Sequence, residues 1–218
     1  MRSTWVHSRF PLAKAKSKST VRNVHLAVKS ADAFLNLSQP FLKKIGTDMT
    51  SAHERAVHDL GGMIASATSM SFAVELYIKA LRLRVGLQAG NSHDLWGLFK
   101  GLPFGVQSAV AGRYDALRPT GDAAIGLELD LALRPFEEAD DDPEKRPSVP
   151  SNHSLQAVLK RNKDAFQTWR YLHERGDRQR VMTFRFEFHL LQTAGKAIRA
   201  QVVAGDMSVE RVFSKNKG

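Results

Sequence analysis

The chain has 218 residues, 43% of them hydrophobic, and no cysteine; this length accommodates one core, and the missing thiols exclude disulfides, thiolate catalysis and zinc–thiolate sites. Thirty-two Lys and Arg against 22 Asp and Glu give a formal charge of +10, which favours polyanionic partners at moderate salt. No apolar run reaches the ~18 residues that mark a membrane span, and the absence of cysteine fits a reducing, cytoplasmic setting.

The first thirty residues hold seven Lys or Arg and no acid. Residues 1–20 are therefore expected to form a basic arm without fixed structure; they lack the apolar segment of a secretory signal, although their composition has something of an organelle transit peptide. Val21, Val24, Val28, Ala31 and Leu35 then step by three and four, predicting a first amphipathic helix capped at Ser19 or Thr20 and stopped or bent at Pro40.

Ser51 to Val85 carries the strongest pattern. Leu60, Ile64, Ala67, Ser71, Val74, Ile78, Leu81 and Val85 fall on one stripe, predicting a helix about 50 Å long that other helices must cover. Ser51 and Glu54 suit a capping box. Arg82 and Arg84 suit the negative end of the helix dipole, and Gly86 suits a left-handed cap. Gly61 and Gly62 weaken the early turns.

A short helix with Leu95, Leu98 and Phe99 inward follows a cap at Ser92 and ends at Gly101 and Pro103. Phe104 to Leu117 is the next helix, with Val106, Val110 and Tyr114 on one side. From about 118 to 152 prolines and glycine punctuate the chain, and six carboxylates fall between Glu137 and Glu144; this predicts a long acidic inserted loop, with one short helix at most over 124–133. Helical texture returns at Ser154, with Ala165, Phe166, Trp169 and Leu172 as an aromatic face. A last helix aligns Phe184, Phe188, Leu191, Gly195, Ile198 and Val202, with Gly195 admitting a partner helix closely. Residues 206–218 are expected to form a flexible tail. With no strand expected, the fold class is an all-α bundle of about five or six helices spanning 21–205 as one domain.

Phosphate-loop, zinc-protease and calcium-loop motifs are absent, and no metal or cofactor site is expected. Glu75 and Lys79 are four apart in the favourable order for a surface ion pair; alternatively, Glu75 orients His93, with Asp94 a second acid beside it. Arg170, Tyr171, His173 and Glu174 crowd one helical turn. Arg170 suits a phosphate oxygen and His173 a proton transfer, which is the chemistry of metal-independent RNA cleavage; a structural lock through Arg170 and Glu174 is the plainer reading. Arg185 and His189 form a reserve pair on the last helix, and Arg113 sits near the end of the basic face.

The runs AVELYIKALRLRVG, SHDLWGLFKGLP and DAFQTWRYLHE, carrying Glu75 with Lys79, His93-Asp94-Leu95, and Trp169-Arg170-Tyr171 with Glu174, resemble the HEPN superfamily. The resemblance covers a third to a half of the chain. It implies a helical bundle, a homodimer or a paired partner, and roles in RNA cleavage, toxin–antitoxin pairs or antiviral defence. Catalytic members carry an Arg separated from a His by four to six residues, whereas Arg170–His173 has two residues between and Arg185–His189 has three. The expectation is therefore a HEPN-like dimer that binds RNA or a protein partner, with an endoribonuclease and a purely structural bundle as alternatives.

Overall fold

Between Ser66 and Leu81 almost every side chain of one helix is withdrawn from water. In that stretch Ala67, Met70, Ser71, Ala73, Val74, Glu75, Tyr77, Ile78 and Ala80 are fully buried. A helix apolar nearly all round must be enclosed on several sides, and this one is the axis of the bundle. The computed structural model describes residues 18–47, 52–118, 128–133, 150–171 and 182–214. Its elements are α1 (Lys18–Thr47), α2 (Ala52–Arg84), α3 (Leu95–Lys100), α4 (Phe104–Leu117), β1 (Glu128–Leu133), α5 (Leu155–Arg161), α6 (Ala165–Arg170), β2 (Met182–Glu187) and α7 (Phe188–Ser214). The axis is α2, and α1, α7, α6 and α3 all pack on it, while α4 packs on α7.

The stripe read from the sequence is the buried side of α2: Ala67, Ser71, Val74, Ile78 and Leu81 are all inside. Ser71 tolerates this because its hydroxyl donates to the Ala67 carbonyl at 2.7 Å, the back-bond open to a helical serine. On the facing helix Phe188, Leu191, Ala194, Ile198 and Val202 are buried. Gly195 lets the two backbones close up, since a Cβ there would meet Val74 Cγ2 at 3.3 Å. Gly61 has no such role: a Cβ there meets nothing within 4 Å.

Three elements differ from the sequence expectation. Helix α1 runs through Pro40 to Thr47; the turn before the proline is held by Ser38 Oγ and Gln39 Nε2, which donate to the Leu35 carbonyl at 2.6 and 3.4 Å. Helix α7 starts at Phe188, not before Phe184, and continues past Gly205 to Ser214. The residues expected at its start, and those of the 124–133 segment, instead form an antiparallel two-stranded ribbon, in which Leu129 lies opposite Phe186, Leu131 opposite Phe184 and Leu133 opposite Met182. Both segments alternate apolar and polar residues with period two, so a strand pair sets apolar opposite apolar, which a helix would not. The fold is nonetheless an all-α bundle with this ribbon attached. The 137–144 acidic stretch, the Ser51 cap and residues 1–17 of the arm expected over 1–20 lie outside the described residues, whereas residues 18–20 of that arm already belong to α1.

Helices α1, α2 and α7 are tied by one polar knot. Arg199 donates through Nε and Nη2 to Asp32 Oδ1 and Oδ2 at 2.6 and 3.0 Å, and Tyr77 donates to the same Oδ1 at 2.6 Å. The Arg199 hydrogen bond is the main reason the Asp32 carboxyl lies below its ordinary 3.8, against the opposing effect of burial. Burial, then the Asp32 carboxylate, pushes the Tyr77 phenol up.

Two outcomes follow. In urea unfolding, Gly61→Ala should raise stability by up to about 1 kcal/mol, while Gly195→Val should lower it by roughly 1–3 kcal/mol by forcing α7 off α2. Because the folded state depresses the Asp32 value, the knot stabilises above about pH 4 and that contribution is lost as pH falls through the folded value. Asp32→Asn should therefore flatten the acid limb of the stability–pH curve below pH 4; an unchanged limb would show that the knot contributes nothing.

Candidate functional site

The carboxylate of Glu75 is fully buried on α2. An unpaired charge there would be costly, and two cations-in-waiting meet it: Lys79 Nζ reaches Oε1 at 2.7 Å, and His93 Nδ1 lies 3.1 and 2.9 Å from Oε1 and Oε2. The Glu75–Lys79 pair is therefore not the surface pair first expected, and Glu75 does orient His93. A carboxylate only accepts, so His93 Nδ1 carries the hydrogen and Nε2 is left for the outside. Among the described residues Nε2 has no hydrogen-bond partner, and 37% of the His93 side chain is exposed.

The chain folds back to bring His93 there for local reasons. Gly86, at φ +86°, closes α2 with two bonds, Leu87 N–H to the Arg82 carbonyl at 2.9 Å and Gly86 N–H to the Leu83 carbonyl at 3.1 Å, the pair that defines a left-handed helix stop. Arg82 then clamps the return, donating to the carbonyls of Gln88 and Leu98, each at 3.0 Å. Asp94, not Ser92, caps α3, accepting from Gly97 N–H at 2.9 Å, while Ser92 Oγ accepts from Asp94 N–H at 3.0 Å. Asp94 is thus a cap and not a second acid for His93.

Helix α6 adds the rest of the face. Ala165, Phe166 and Trp169 point inward, and Trp169 meets the Phe186 ring edge-on at 5.5 Å. The Phe166 ring stacks on Phe72 at 4.8 Å and lies 5.2 Å from the His93 ring. Arg170, exposed at the end of α6, holds its guanidinium 5.6 Å from the Phe166 ring and 5.1 Å from the Tyr171 ring; Tyr171 is 39% exposed. A cation over two aromatic rings and an oriented imidazole thus both lie against the Phe166 ring. Among the described residues no carboxylate pairs with Arg170.

The other candidates lie elsewhere. His173 and Glu174 are outside the described residues, so neither their pairing with Arg170 nor a proton-transfer role enters here. Arg113 bonds Gln201 Oε1 at 2.9 Å across the α4–α7 seam, away from this face. Arg185 belongs to β2, opposite Asp130, and His189 to the first turn of α7, so they do not share a helix as expected; alternation favoured a strand up to Glu187. Burial, with Lys196 adding to it, holds His189 below the ordinary imidazole range.

A second buried acid went unnoticed in the sequence. Glu187, 2% exposed, takes Arg161 Nε and Nη2 at 3.1 and 2.6 Å and Asn162 Nδ2 at 2.9 Å; its closing position at the strand–helix junction would have been the signal. Two pairs beyond the candidates above meet the four-to-six spacing of catalytic HEPN members, Arg2–His7 and Arg146–His153. Of these four residues only His153 is described; its Nε2 is turned onto the Pro150 carbonyl, and its own carbonyl accepts from Tyr114. No group of three or more potential metal ligands, and no helix long and apolar enough to cross a membrane, occurs among the described residues.

Removing Lys79 leaves a buried carboxylate with only His93 beside it. Lys79→Met should cost about 3 kcal/mol or more, and adding Glu75→Gln should recover part of that loss, so the double variant is more stable than the sum of the single losses implies. Strictly additive losses in urea unfolding would contradict a buried, charge-coupled pair.

Comparison with protein-family models, with curated proteins and with solved structures found no match for this chain.

Proposed function

We propose that this protein is a HEPN-like RNA-binding protein that works as a homodimer in a regulatory or defence setting. The observation that carries this reading is the Arg170 guanidinium over the Phe166 and Tyr171 rings at the exposed end of α6, with the partly exposed His93 against the same Phe166 ring. Single-stranded nucleic acid is held by cations that track phosphates and by rings on which bases stack. Arg170 supplies the first, Tyr171 the second, and Phe166 fixes the guanidinium without neutralising it. The formal charge of +10 adds long-range attraction to such a partner.

A second reading, metal-independent RNA cleavage on the same face, is favoured by one feature: Glu75 holds His93 Nδ1 so that Nε2 is presented outward. In that reading His93, not His173, exchanges the proton, and Arg170 holds a nonbridging phosphate oxygen.

Binding of labelled single-stranded RNA tests the first reading. Arg170→Ala should weaken it about tenfold at moderate salt and make the salt dependence shallower by about one ion; Tyr171→Ala should cost about 1–3 kcal/mol. Unchanged affinity in both variants would remove this face from RNA recognition. Cleavage that persists in EDTA and disappears in His93→Gln is expected only under the second reading.

A further inference from the structure

Helix α1 packs on α2 through Val24, Ala27, Val28, Ala31, Phe34 and Leu35, which leaves the opposite side without a partner among the described residues. There Leu26, Ser30, Ala33 and Leu37 follow steps of four, three and four, the spacing of a seam between two helices. Leu26 is 62% and Leu37 65% exposed. The small Ser30 and Ala33 between them leave room for side chains of an incoming helix. Arg22 and Lys29 stand exposed beside this seam.

From these features we infer that the outer face of α1 docks an acidic amphipathic helix of a partner protein. Charge selects that occupant. The α1 sequence holds five Lys or Arg and a single acid, Asp32, and that carboxylate is already taken by Arg199 and Tyr77. A second copy of α1 would thus set cations against cations, whereas leucines flanked by Glu or Asp would match both the seam and its rim. RNA fits less well, because among the described outward residues of α1 the imidazole of His25 is the single ring on which a base could stack, and it lies off the line of the two leucines. A lipid surface fits less well too, as two leucines three turns apart with small residues between them offer little area to insert.

The test uses the full chain and a synthetic peptide about three heptads long, with Leu at the seam positions and Glu flanking them. Fluorescence anisotropy should show saturable binding that weakens with salt. Leu26→Gln and Leu37→Gln should each weaken it about tenfold, and Arg22→Glu should also weaken it, with the thermal midpoint unmoved because all three side chains are exposed. The inference is overturned if a scrambled peptide of the same composition binds equally, or if the leucine variants bind as well as the parent. It is equally overturned if the seam instead proves to be a self-contact, with Leu37→Gln turning a dimer into a monomer in light scattering, or if anionic vesicles take up the chain through those leucines while the peptide does not bind.

Discussion

A carboxylate with no access to water, Glu75 on the central helix, is the constraint on which the surrounding structure turns. Its helix supplies one partner, Lys79, from the next turn. The other must come from outside the helix, and it comes from His93, in a segment that has to leave α2, reverse and return within nine residues of Arg84. The left-handed stop at Gly86, the Arg82 clamp and the Asp94 cap are the parts that achieve the reversal. Each is a small term, of the order of 1 kcal/mol for a cap or neutral hydrogen bond, but the buried charge makes their joint failure expensive.

From that centre the packing spreads along two lines. One is aromatic: Phe34 of α1 meets Phe72 of α2 edge-on at 4.8 Å, Phe72 stacks on Phe166 of α6, and Phe166 carries Arg170 to the surface. The other is polar: Asp32, Tyr77 and Arg199 join α1, α2 and α7. The same side chains thus hold the bundle and set the face that presents His93, Arg170 and Tyr171. Helix α6 places Arg170 with Tyr171 as its C-cap, and His93, in the connection between α2 and α3, is fixed by its bonds to Glu75, so each group has the support that recognition at fixed geometry requires.

Periodicity made the long helices legible. The α2 stripe, the limits of Phe104–Leu117, the inward Leu95, Leu98 and Phe99, and the close approach at Gly195 were all readable from spacing, because burial imposes that spacing. The approach of Glu75 to His93 was legible only as the alternative to a surface Glu75–Lys79 pair, because Glu75 lies beside the stripe that marked the buried side of α2 and not on it. The ribbon was missed because Phe184 and Phe188 also fit a helical step, and this hid the stricter alternation of Met182 to Glu187 opposite Glu128 to Leu133. Pro40 misled because its cost is local, about 3 kcal/mol, and the packing of the preceding turns of α1, through Ala31, Phe34 and Leu35, outweighs that. Phe166 as the bridge between His93 and Arg170 was invisible, because it joins residues far apart in sequence.

The most direct test of this centre is the tautomer of His93, read by nitrogen-15 NMR of the imidazole at a pH where histidines are neutral. An ionised Glu75 carboxylate can only accept, so the hydrogen is expected on Nδ1, with Nε2 showing the shift of an unprotonated ring nitrogen, and Glu75→Gln should disturb that assignment. A hydrogen found on Nε2, with no response to Glu75→Gln, would contradict a buried carboxylate as the group that orients His93 and organises this face.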